Sequence, residues 1–307
     1  MREVVIISGK GGTGKTSITA AFAHLAALQG GAMLCDLDVD APDLHLLLGP
    51  RHDEEHEFRS GFEAAIDPEA CVGCGQCMQL CRFGAIRAED DAFRVDPLRC
   101  EGCKVCVRFC PAGAIRFEEK HCGQWYASST RFGPMVHAQL FPGEENSGRL
   151  VALLKKEARQ RAEALGLELV LCDGAPGIGC PVISSLSGAG QAVVVTEPTP
   201  SGRHDLERVA DLCRHFRIPV AVIVNKFDLN LQNSADIEAY CQDQGHTVLG
   251  MLPHDEVVVR AMVQARCVTE LPATAFSEAL RSIWERIVHL EPKAAARPAL
   301  FQPTPNA

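Results

Sequence analysis

Short runs of apolar residues recur along this chain and alternate with segments whose apolar positions follow the spacing of a helix. The runs typical of buried strands lie at residues 4–7, 32–35, 167–172, 192–196, 220–224 and 247–251. Helical spacing covers residues 15–29, 147–165, 202–216 and 234–244, and predicts a last helix near 276–289. Because such alternation is typical of α/β proteins, we predict a mostly parallel sheet flanked by helices.

This alternation stops between about residues 50 and 148. The acidic residues 53–57 predict a linker, and residues 122–146, which show no clear period, predict an irregular return to the α/β body. Between them lies a duplicated unit, in which Ile66-Asp67-Pro68 recurs 29 positions later as Val95-Asp96-Pro97. We therefore predict an α/β body at 1–60 and 121–290, an inserted module at 61–120, and a loosely held tail at 291–307.

A glycine-rich loop follows the first predicted strand and opens a helix. The loop satisfies the phosphate-binding pattern G-x-x-x-x-G-K-[ST] in its required context. Backbone N–H groups of such a loop close on phosphate oxygens, and the helix N-terminus adds partial positive charge. We expect Lys15 to reach the β- and γ-phosphates and Thr16 to hold Mg²⁺. The expected nucleotide-binding residues of the loop are Gly9, Lys10, Gly11, Gly12, Thr13, Gly14, Lys15, Thr16 and Ser17.

The second lysine of this loop, Lys10, makes it resemble the deviant Walker A motif of the ParA/MinD/Mrp/nitrogenase-iron-protein family of P-loop ATPases. In that family a lysine at this place crosses a dimer interface to the partner's nucleotide. The resemblance therefore implies catalytic roles for Lys10 and Lys15, and a homodimer that forms on ATP binding. It covers the chain apart from the insertion.

Aspartates at two strand ends extend this resemblance. Asp36-Leu37-Asp38 resembles the family's first switch, in which Asp38 would position or activate the attacking water and Asp36 would support the Mg²⁺ shell. Asp40 is so close in sequence that it could have either of these two roles instead. Asp173-Gly174-Ala175-Pro176-Gly177 resembles the Walker B motif and second switch, which implies that Asp173 binds Mg²⁺ through water. Ligands of open α/β sheets bind at the carboxyl ends of strands, where these residues lie.

Two further segments resemble the nucleotide side of the family. Asn225, which precedes Lys226, resembles a base-reading asparagine that favours adenine, although a turn residue is an alternative reading. Pro253-His254-Asp255 resembles a later loop of the family near the nucleotide. Together these matches imply ATP and Mg²⁺ as cofactors.

Eight of the 15 cysteines form two runs of C-x2-C-x2-C-x3-C, the bacterial ferredoxin pattern. Three closely spaced thiolates of a run bind one cluster, and the fourth ligates the other cluster. We predict one [4Fe–4S] cluster on Cys71, Cys74, Cys77 and Cys110, and a second on Cys81, Cys100, Cys103 and Cys106. Zinc is the alternative metal, but zinc sites usually use C-x2-C pairs. The insertion is thus expected to be a small α+β, bacterial-ferredoxin-like domain.

Cys180 lies seven residues after Asp173. At this offset the nitrogenase iron protein has a cysteine that helps to bridge a cluster between subunits, but the upstream stretch comparable to its second ligand, residues 143–149, has no cysteine here. Cys180 is therefore either a redox or cluster site beside the nucleotide, or a small buried residue before Pro181. The cysteines in apolar contexts elsewhere are expected to pack in the core.

Charge and composition disfavour some partners. The net charge of −9 argues against nucleic-acid binding, and no apolar run of about 18 residues predicts a membrane helix. The tail carries only Lys293 and Arg297 as basic residues, unlike the membrane-binding helix of MinD-like proteins, so no stable membrane association is expected. Without a signal peptide, the expected location is the cytoplasm.

The joining of a P-loop with a ferredoxin pattern favours an ATP-driven redox or conformational switch that acts on an unknown redox or protein partner. The chain resembles MinD-superfamily ATPases with an inserted ferredoxin domain. One alternative is a cluster assembly ATPase of the Mrp type, although such carriers use a C-x-x-C that is missing after Cys180. The other is a MinD/ParA-like positioning ATPase that acts through a protein partner.

Overall fold

The fold is seen in a computed structural model that describes residues 1–89 and 92–290. Within them, the large sheet contains β1 (Arg2–Ser8), β2 (Met33–Asp36), β3 (Arg51–Ile66), β6 (Ile115–Thr130), β7 (Gly133–Leu140), β8 (Leu169–Pro176), β9 (Gln191–Thr196), β10 (Val220–Asn225) and β11 (Thr247–Leu252). A separate pair contains β4 (Ile86–Glu89) and β5 (Ala92–Val95). The helices are α1 (Lys15–Ala27), α2 (Leu44–Leu48), α3 (Gln76–Leu80), α4 (Val105–Arg108), α5 (Ser147–Ala164), α6 (Cys180–Leu186), α7 (Pro200–His215), α8 (Leu231–Gln244), α9 (Glu256–Val263) and α10 (Ala275–His289).

Parallel pairing runs through most of the large sheet, whose strand order is β11-β10-β9-β1-β8-β2-β7-β6-β3. Every neighbouring pair from β11 to β7 is parallel, whereas β6 is antiparallel to both β7 and β3. The prediction of a mostly parallel sheet flanked by helices is therefore confirmed. The six predicted strands are β1, β2, β8, β9, β10 and β11, and the five predicted helices are α1, α5, α7, α8 and α10.

Helices cover both faces of the parallel part of the sheet. Val5 and Ile7 of β1 face the layer that contains α5, α6, α7 and α8. Val4 and Ile6 face the layer that contains α1, α2, α9 and α10. Strands buried on both faces have nearly continuous apolar runs, which is why they are visible in the sequence. The carboxyl ends of β1, β2 and β8 lie side by side, so the loops after them meet at one edge.

Three strands, β3, β6 and β7, occupy residues for which the sequence predicts a linker or an irregular segment. The linker prediction for residues 53–57 was wrong, because they lie in β3. The prediction of an irregular segment at 122–146 was also wrong, because β6 and β7 occupy most of it. β3 is an edge strand. Charged side chains on an edge strand discourage pairing with other chains, which explains a strand without apolar alternation.

β3 and β6 form a ribbon that extends past the sheet. They pair from Arg51 and Ser129 at one end to Ile66 and Ile115 at the other. β6 pairs with β7 only from Gly123 onward, so among the described residues the rest of the ribbon pairs with no further strand.

We name residues 59–66 and 115–122, which form this free part of the ribbon, the arm. Pairing within the ribbon shifts register between Arg59 and Phe62, where the arm leaves the sheet. Gly61, inside this irregularity, has a φ of 71°, a conformation natural for glycine. The arm therefore begins at a β-bulge, a device that bends a ribbon locally.

The outer end of the arm carries residues 67–114, which we name the module. It contains α3, α4 and the β4–β5 pair, and the N–H of Asp67 donates to the carbonyl of Ala114 (2.8 Å) where the two ends of the module meet. The predicted domain boundaries near residues 61 and 120 fall inside β3 and β6.

Helices α2, α3, α4, α6 and α9 were not predicted, because each has eight residues or fewer and shows little periodicity. In the part of the chain described here, no helix is both long and apolar enough to cross a membrane. The predicted loose tail, residues 291–307, lies outside the described residues.

Candidate functional site

The loop between β1 and α1 borders a cavity of about 610 Å³. Gly12 and Gly14 have φ values of 78° and 88°, which turn the backbone before α1 begins at Lys15. Residues 11–17 line the cavity, and the buried Oγ1 of Thr13 has no hydrogen-bond partner among the described residues. A glycine loop at a helix N-terminus, with an unpaired hydroxyl, fits an anionic phosphate.

Lys15 is the charged centre of this cavity and is only 6% exposed. Its Nζ lies 3.0 Å from Oδ1 of Asp173 and 3.7 Å from Oδ2 of Asp38. Thr16 Oγ1 donates to Oδ2 of Asp173 (2.7 Å). Burial opposes the charge on Lys15, but the combined attraction of Asp173, Asp36 and Asp38 outweighs burial and raises the pKa of the lysine. The lysine is therefore held charged where a phosphate would lie.

The predicted aspartates gather at the same edge. Asp38 and Asp40 line the cavity. Asp36 is buried, and its carboxylate accepts N–H groups from Asp38 (3.1 Å) and Leu44 (3.3 Å). Burial raises the pKa of Asp36 well above its usual range, and the charge of Asp173 raises it further. Burial also raises the pKa of Asp38. Carboxylates beside a phosphate-binding loop are ligands that Mg²⁺ uses.

Lys10 does not line the cavity. Its Nζ lies 2.6 Å from Oε1 of Glu197, which follows β9, and donates to Ser201 Oγ (3.0 Å) and Thr199 Oγ1 (3.3 Å). Burial alone would raise the pKa of Glu197, but the hydrogen bond and charge of Lys10, with Lys226, lower it. These three partners were not predicted, because no local pattern connects them with the P-loop.

Asn225 ends β10 and lies against the phosphate loop. Its Nδ2 donates to the carbonyl of Thr13 (2.8 Å), and its Oδ1 accepts the N–H of Lys226 (3.1 Å). The Nζ of Lys226 donates to the carbonyl of Gly12 (3.0 Å). The structure therefore brings Asn225 to the cavity, where both ends of its amide already bond to the protein.

The opposite wall of the cavity combines a loop with an apolar helix face. Pro253, His254 and Asp255 line it, and the Asp255 side chain caps α9. Val258 and Met262 of α9 also line the cavity and were not predicted from the sequence. An apolar wall beside convergent polar groups suits a ligand with a flat ring.

The eight cysteines of the module line two further cavities. One is lined by Cys71, Cys74, Cys77 and Cys110, and the other by Cys81, Cys100, Cys103 and Cys106. The structure thus brings together the two sets expected from the spacing, in which the fourth cysteine of each run joins the other run. The N–H groups of Ala85 and Ala114 donate to the Sγ atoms of Cys81 (3.4 Å) and Cys110 (3.3 Å).

The thiols of each set line a common cavity. Burial raises the pKa of Cys106, and the neighbouring thiols of Cys100, Cys103 and Cys81 raise it further. Nevertheless, no group of three or more His, Cys, Asp or Glu in the described residues is arranged to hold a metal ion.

The remaining cysteines divide into buried and exposed positions. Those predicted to pack in the core are buried: Cys35, Cys172, Cys213, Cys241 and Cys267, as is Cys122. Cys180, the first residue of α6, is exposed, so its reading as a small buried residue was wrong.

A family profile, the CobQ/CobB/MinD/ParA nucleotide binding domain (CbiA), matches residues 4–266. The chain belongs to this family. The family is one of nucleotide-binding domains, which agrees with the P-loop cavity between β1 and α1. The uncharacterized protein MJ0578 of Methanocaldococcus jannaschii is 34% identical over 230 residues, which cover 74% of this chain and 79% of that protein.

Two other proteins resemble this CbiA-family chain over most of its length. The cytosolic Fe-S cluster assembly factor Nubp1 homolog of Drosophila ananassae is 22% identical over 310 aligned positions, covering 93% of this chain and 81% of that protein. The septum site-determining protein MinD from Pyrococcus horikoshii OT3, complexed with Mg-ADP, superposes with a TM-score of 0.56 at 16% identity, covering 93% of this chain and 95% of that one. The superposition shows a MinD-type α/β fold.

Proposed function

We propose that this protein binds and hydrolyses ATP with Mg²⁺, dimerises when ATP is bound, and couples its nucleotide state to an electron-transfer module with two [4Fe–4S] clusters. One observation carries the proposal. The same chain has a P-loop cavity and two further cavities, each of which is lined by four cysteines. The first cluster would be held by Cys71, Cys74, Cys77 and Cys110, and the second by Cys81, Cys100, Cys103 and Cys106.

The contacts within the P-loop cavity support the ATPase part. Lys15 would contact the β- and γ-phosphates, while Thr16 and Asp173, already hydrogen-bonded to each other, would hold Mg²⁺. Asp38, which lines the cavity, would orient the attacking water, and Asp36 would support the Mg²⁺ shell. Groups of these types can support ATP hydrolysis, because phosphoryl transfer depends mainly on positioning and charge stabilisation.

In the proposed dimer, Lys10 would contact the nucleotide of the second subunit. In one subunit Lys10 is occupied by Glu197, and on dimerisation it would exchange this partner for the nucleotide of the second subunit. Adenine would lie between Asn225 and the apolar wall of α9, which both border the cavity.

The donor set of the module supports iron–sulfur clusters over zinc. Zinc sites usually use C-x2-C pairs, whereas each run here has the spacing C-x2-C-x2-C-x3-C of bacterial ferredoxins. Gly73, Gly75 and Gly102 have positive φ values, a backbone conformation that glycine adopts without strain and that turns the loops between the cysteines. When bound, the clusters supply one-electron transfer at potentials that their surroundings set.

The test is anaerobic purification followed by measurement of iron, sulfide and the EPR spectrum of the dithionite-reduced protein, with and without Mg-ATP. We expect about eight irons per chain, a spectrum of two coupled clusters, and a change in that spectrum on adding Mg-ATP. ATP hydrolysis is measured on the same preparation. Absence of iron from fresh anaerobic protein, or absence of ATP hydrolysis at every protein concentration, would overturn the proposal.

Cluster assembly is the second candidate, favoured by the similarity to a Nubp1 homolog. An assembly factor must release its cluster, so its iron would be substoichiometric and would move readily to an apo-ferredoxin. Iron that stays with the protein during such an incubation favours the redox module.

A further inference from the structure

The nucleotide cavity and the module are connected through the start of α5. We infer that Arg149, in the first turn of this helix, is a positioning residue that transmits the nucleotide state of the P-loop to the arm and so to the module. This inference rests on the proposed function, because it concerns how the two parts of the protein are coupled.

The connection begins at Asp173, whose present partners are groups that a nucleotide would engage. Its carboxylate accepts hydrogen bonds from Thr16 (2.7 Å) and Thr19 (2.9 Å) and lies 3.0 Å from Lys15. Mg²⁺ and phosphate compete for Thr16 and Lys15. Nucleotide binding therefore changes the contacts that hold the carboxyl end of β8.

The chain after Asp173 is tied closely to β1 before it enters α6. A Cβ on Gly174 would lie 2.5 Å from Cγ2 of Ile7, so the Ile7 side chain of β1 packs directly on the backbone of Gly174. The N–H of Gly177 donates to the carbonyl of Ser8 (2.9 Å), and α6 begins soon afterwards. A rearrangement at Asp173 is thus transmitted to the start of α6.

α5 contacts α6 closely at both ends of α6. A Cβ on Gly148 would lie 3.2 Å from Cβ of Cys180, so the first turns of the two helices are in direct contact. At the other end the buried Lys155 donates to the carbonyls of Ser185 and Ser187. Because a close-packed pair of helices has no free space to absorb a shift, α5 moves with α6.

The start of α5 contacts the point where the arm leaves the sheet. Nη1 of Arg149 donates to Oγ of Ser60 (2.9 Å), which is 1% exposed. The carbonyl of Ser60 also accepts the thiol of Cys122 across the ribbon (3.0 Å). Ser60 and Gly61 lie inside the register shift of the ribbon, the part with the least regular pairing. Arg149 therefore contacts the arm at its β-bulge, where the regular pairing of the ribbon is interrupted.

The loop before α5 contacts the module directly. Lys120 of the arm pairs with Glu144 of this loop (2.7 Å) and donates to the carbonyl of Pro97 in the module (3.1 Å). Leu98 of the module lies 3.8 Å from where a Cβ of Gly143 would be. A shift of the α5 start consequently changes contacts on both the arm and the module.

The experiment uses the anaerobically purified full chain and follows deuterium uptake of the arm and module, together with the EPR spectrum, with and without Mg-AMPPNP. The variants are Arg149→Ala, Arg149→Lys and Arg161→Ala. Arg161 is the matched control, since it lies on α5 and bonds Glu54 of β3 in the part of the ribbon that lies within the sheet. Iron content and AMPPNP affinity are measured for every protein.

We expect Arg149→Ala to lose at least half of the nucleotide-induced difference in uptake and in the EPR spectrum, with iron content and AMPPNP affinity unchanged. Arg149→Lys, which can still donate to Ser60, should retain most of the response, and Arg161→Ala should retain all of it. The inference is overturned if Arg149→Ala responds like the wild type, if Arg161→Ala loses as much, or if an iron-loaded, nucleotide-binding wild type shows no response. A wild type that holds no iron or binds no nucleotide refutes the proposed function itself.

Discussion

Nζ of Lys10 lies 2.6 Å from Oε1 of Glu197 within a single subunit. In the proposed dimer this lysine must leave its partner, so the ion pair opposes dimerisation. Partly exposed ion pairs contribute up to about 1 kcal/mol, or roughly a fivefold change in an equilibrium constant. We expect Glu197→Gln to lower the protein concentration at half-dimerisation in Mg-AMPPNP by about two- to fivefold, measured by analytical ultracentrifugation.

The control for this prediction is Glu207→Gln, which breaks an exposed ion pair with Arg203 on α7. It should leave dimerisation unchanged. Weaker dimerisation of Glu197→Gln would mean that Glu197 instead holds Lys10 ready for the dimer.

Gly73 and Gly102 occupy equivalent positions of the duplicated module but differ in their surroundings. Both have positive φ, yet a Cβ on Gly102 would lie 2.3 Å from the carbonyl oxygen of Phe62, whereas nothing lies within 4 Å at Gly73. Gly73→Ala should cost about 1 kcal/mol of backbone strain and keep its iron. Gly102→Ala should lose about half of the iron, from the cavity of Cys100, because the backbone of the arm cannot yield to a methyl group.

Iron analysis of the two purified variants tests this comparison, with the nucleotide affinity of the P-loop as an internal check. Equal iron content in both variants would show that the contact of Gly102 with the arm does not determine the site.

The crossed sets of cysteines can be tested by combining substitutions. Cys74 shares a cavity with Cys110, whereas Cys81 lines the other cavity. The double variant Cys74→Ala/Cys110→Ala changes one site, so we expect it to lose no more iron than the more severe of the two single variants. The double variant Cys74→Ala/Cys81→Ala changes both sites, so we expect it to lose iron from both. The opposite pattern would assign each run of four cysteines to its own cluster.

Cys122→Ala and Cys180→Ala serve as controls, because neither residue lines either cavity. Both should keep the full iron content. A loss of iron in Cys180→Ala alone would indicate a further cluster ligand next to the nucleotide.

We expect the buried carboxyl of Asp36 to make the stability of the nucleotide-free protein depend on pH. Its folded pKa lies well above the ordinary value of 3.8, first because of burial and then because of Asp173. The folded state therefore holds this proton more tightly than the unfolded state, and the free energy of unfolding falls as the pH rises from about 4 through the raised pKa. Asp36→Asn cannot ionise, so it should not show this loss.

Melting temperatures between pH 5 and 8, without nucleotide or Mg²⁺, test this prediction. As the pH rises, the melting temperature of Asp36→Asn should increase relative to that of the wild type. The expected change is about 2–4 °C for each kcal/mol of unfolding free energy that the wild type loses. The hydrogen bond that asparagine fails to accept lowers stability equally at each pH, so it does not affect the trend. Asp40→Asn, at an exposed position, should run parallel to the wild type, and a parallel curve for Asp36→Asn would contradict the prediction.

The sequence predicted the parts of the fold in which local pattern and environment agree. Residues 4–7 of β1 are all apolar because both faces of the strand are buried, and the P-loop must have glycine at Gly12 and Gly14 for its backbone path. The grouping of Cys110 with Cys71 also follows from local reach, since three closely spaced thiols leave the fourth too far along the chain.

Other features depend on contacts that no local pattern records. β3 reads as a linker because it lies at the sheet edge and then continues into the arm, so charged residues are tolerated along most of its length. The pairing of Lys10 with Glu197 joins loops after β1 and β9, which become neighbours only because those strands pair in the sheet. The contact of Arg149 with Ser60 likewise exists only once α5 has packed beside the ribbon.

The length of the arm converts a small rotation at its start into a larger displacement at its outer end. Beyond the bulge at Ser60 and Gly61, about five residues of β3 extend to the module, a length of roughly 17 Å at about 3.4 Å per residue. A rotation of about 10° at the bulge would displace the outer end by about 3 Å over that length. If the proposed coupling holds, a shift too small to disturb the packed sheet would be amplified at the cysteine cavities, and the rotation at the bulge would set the displacement of the module.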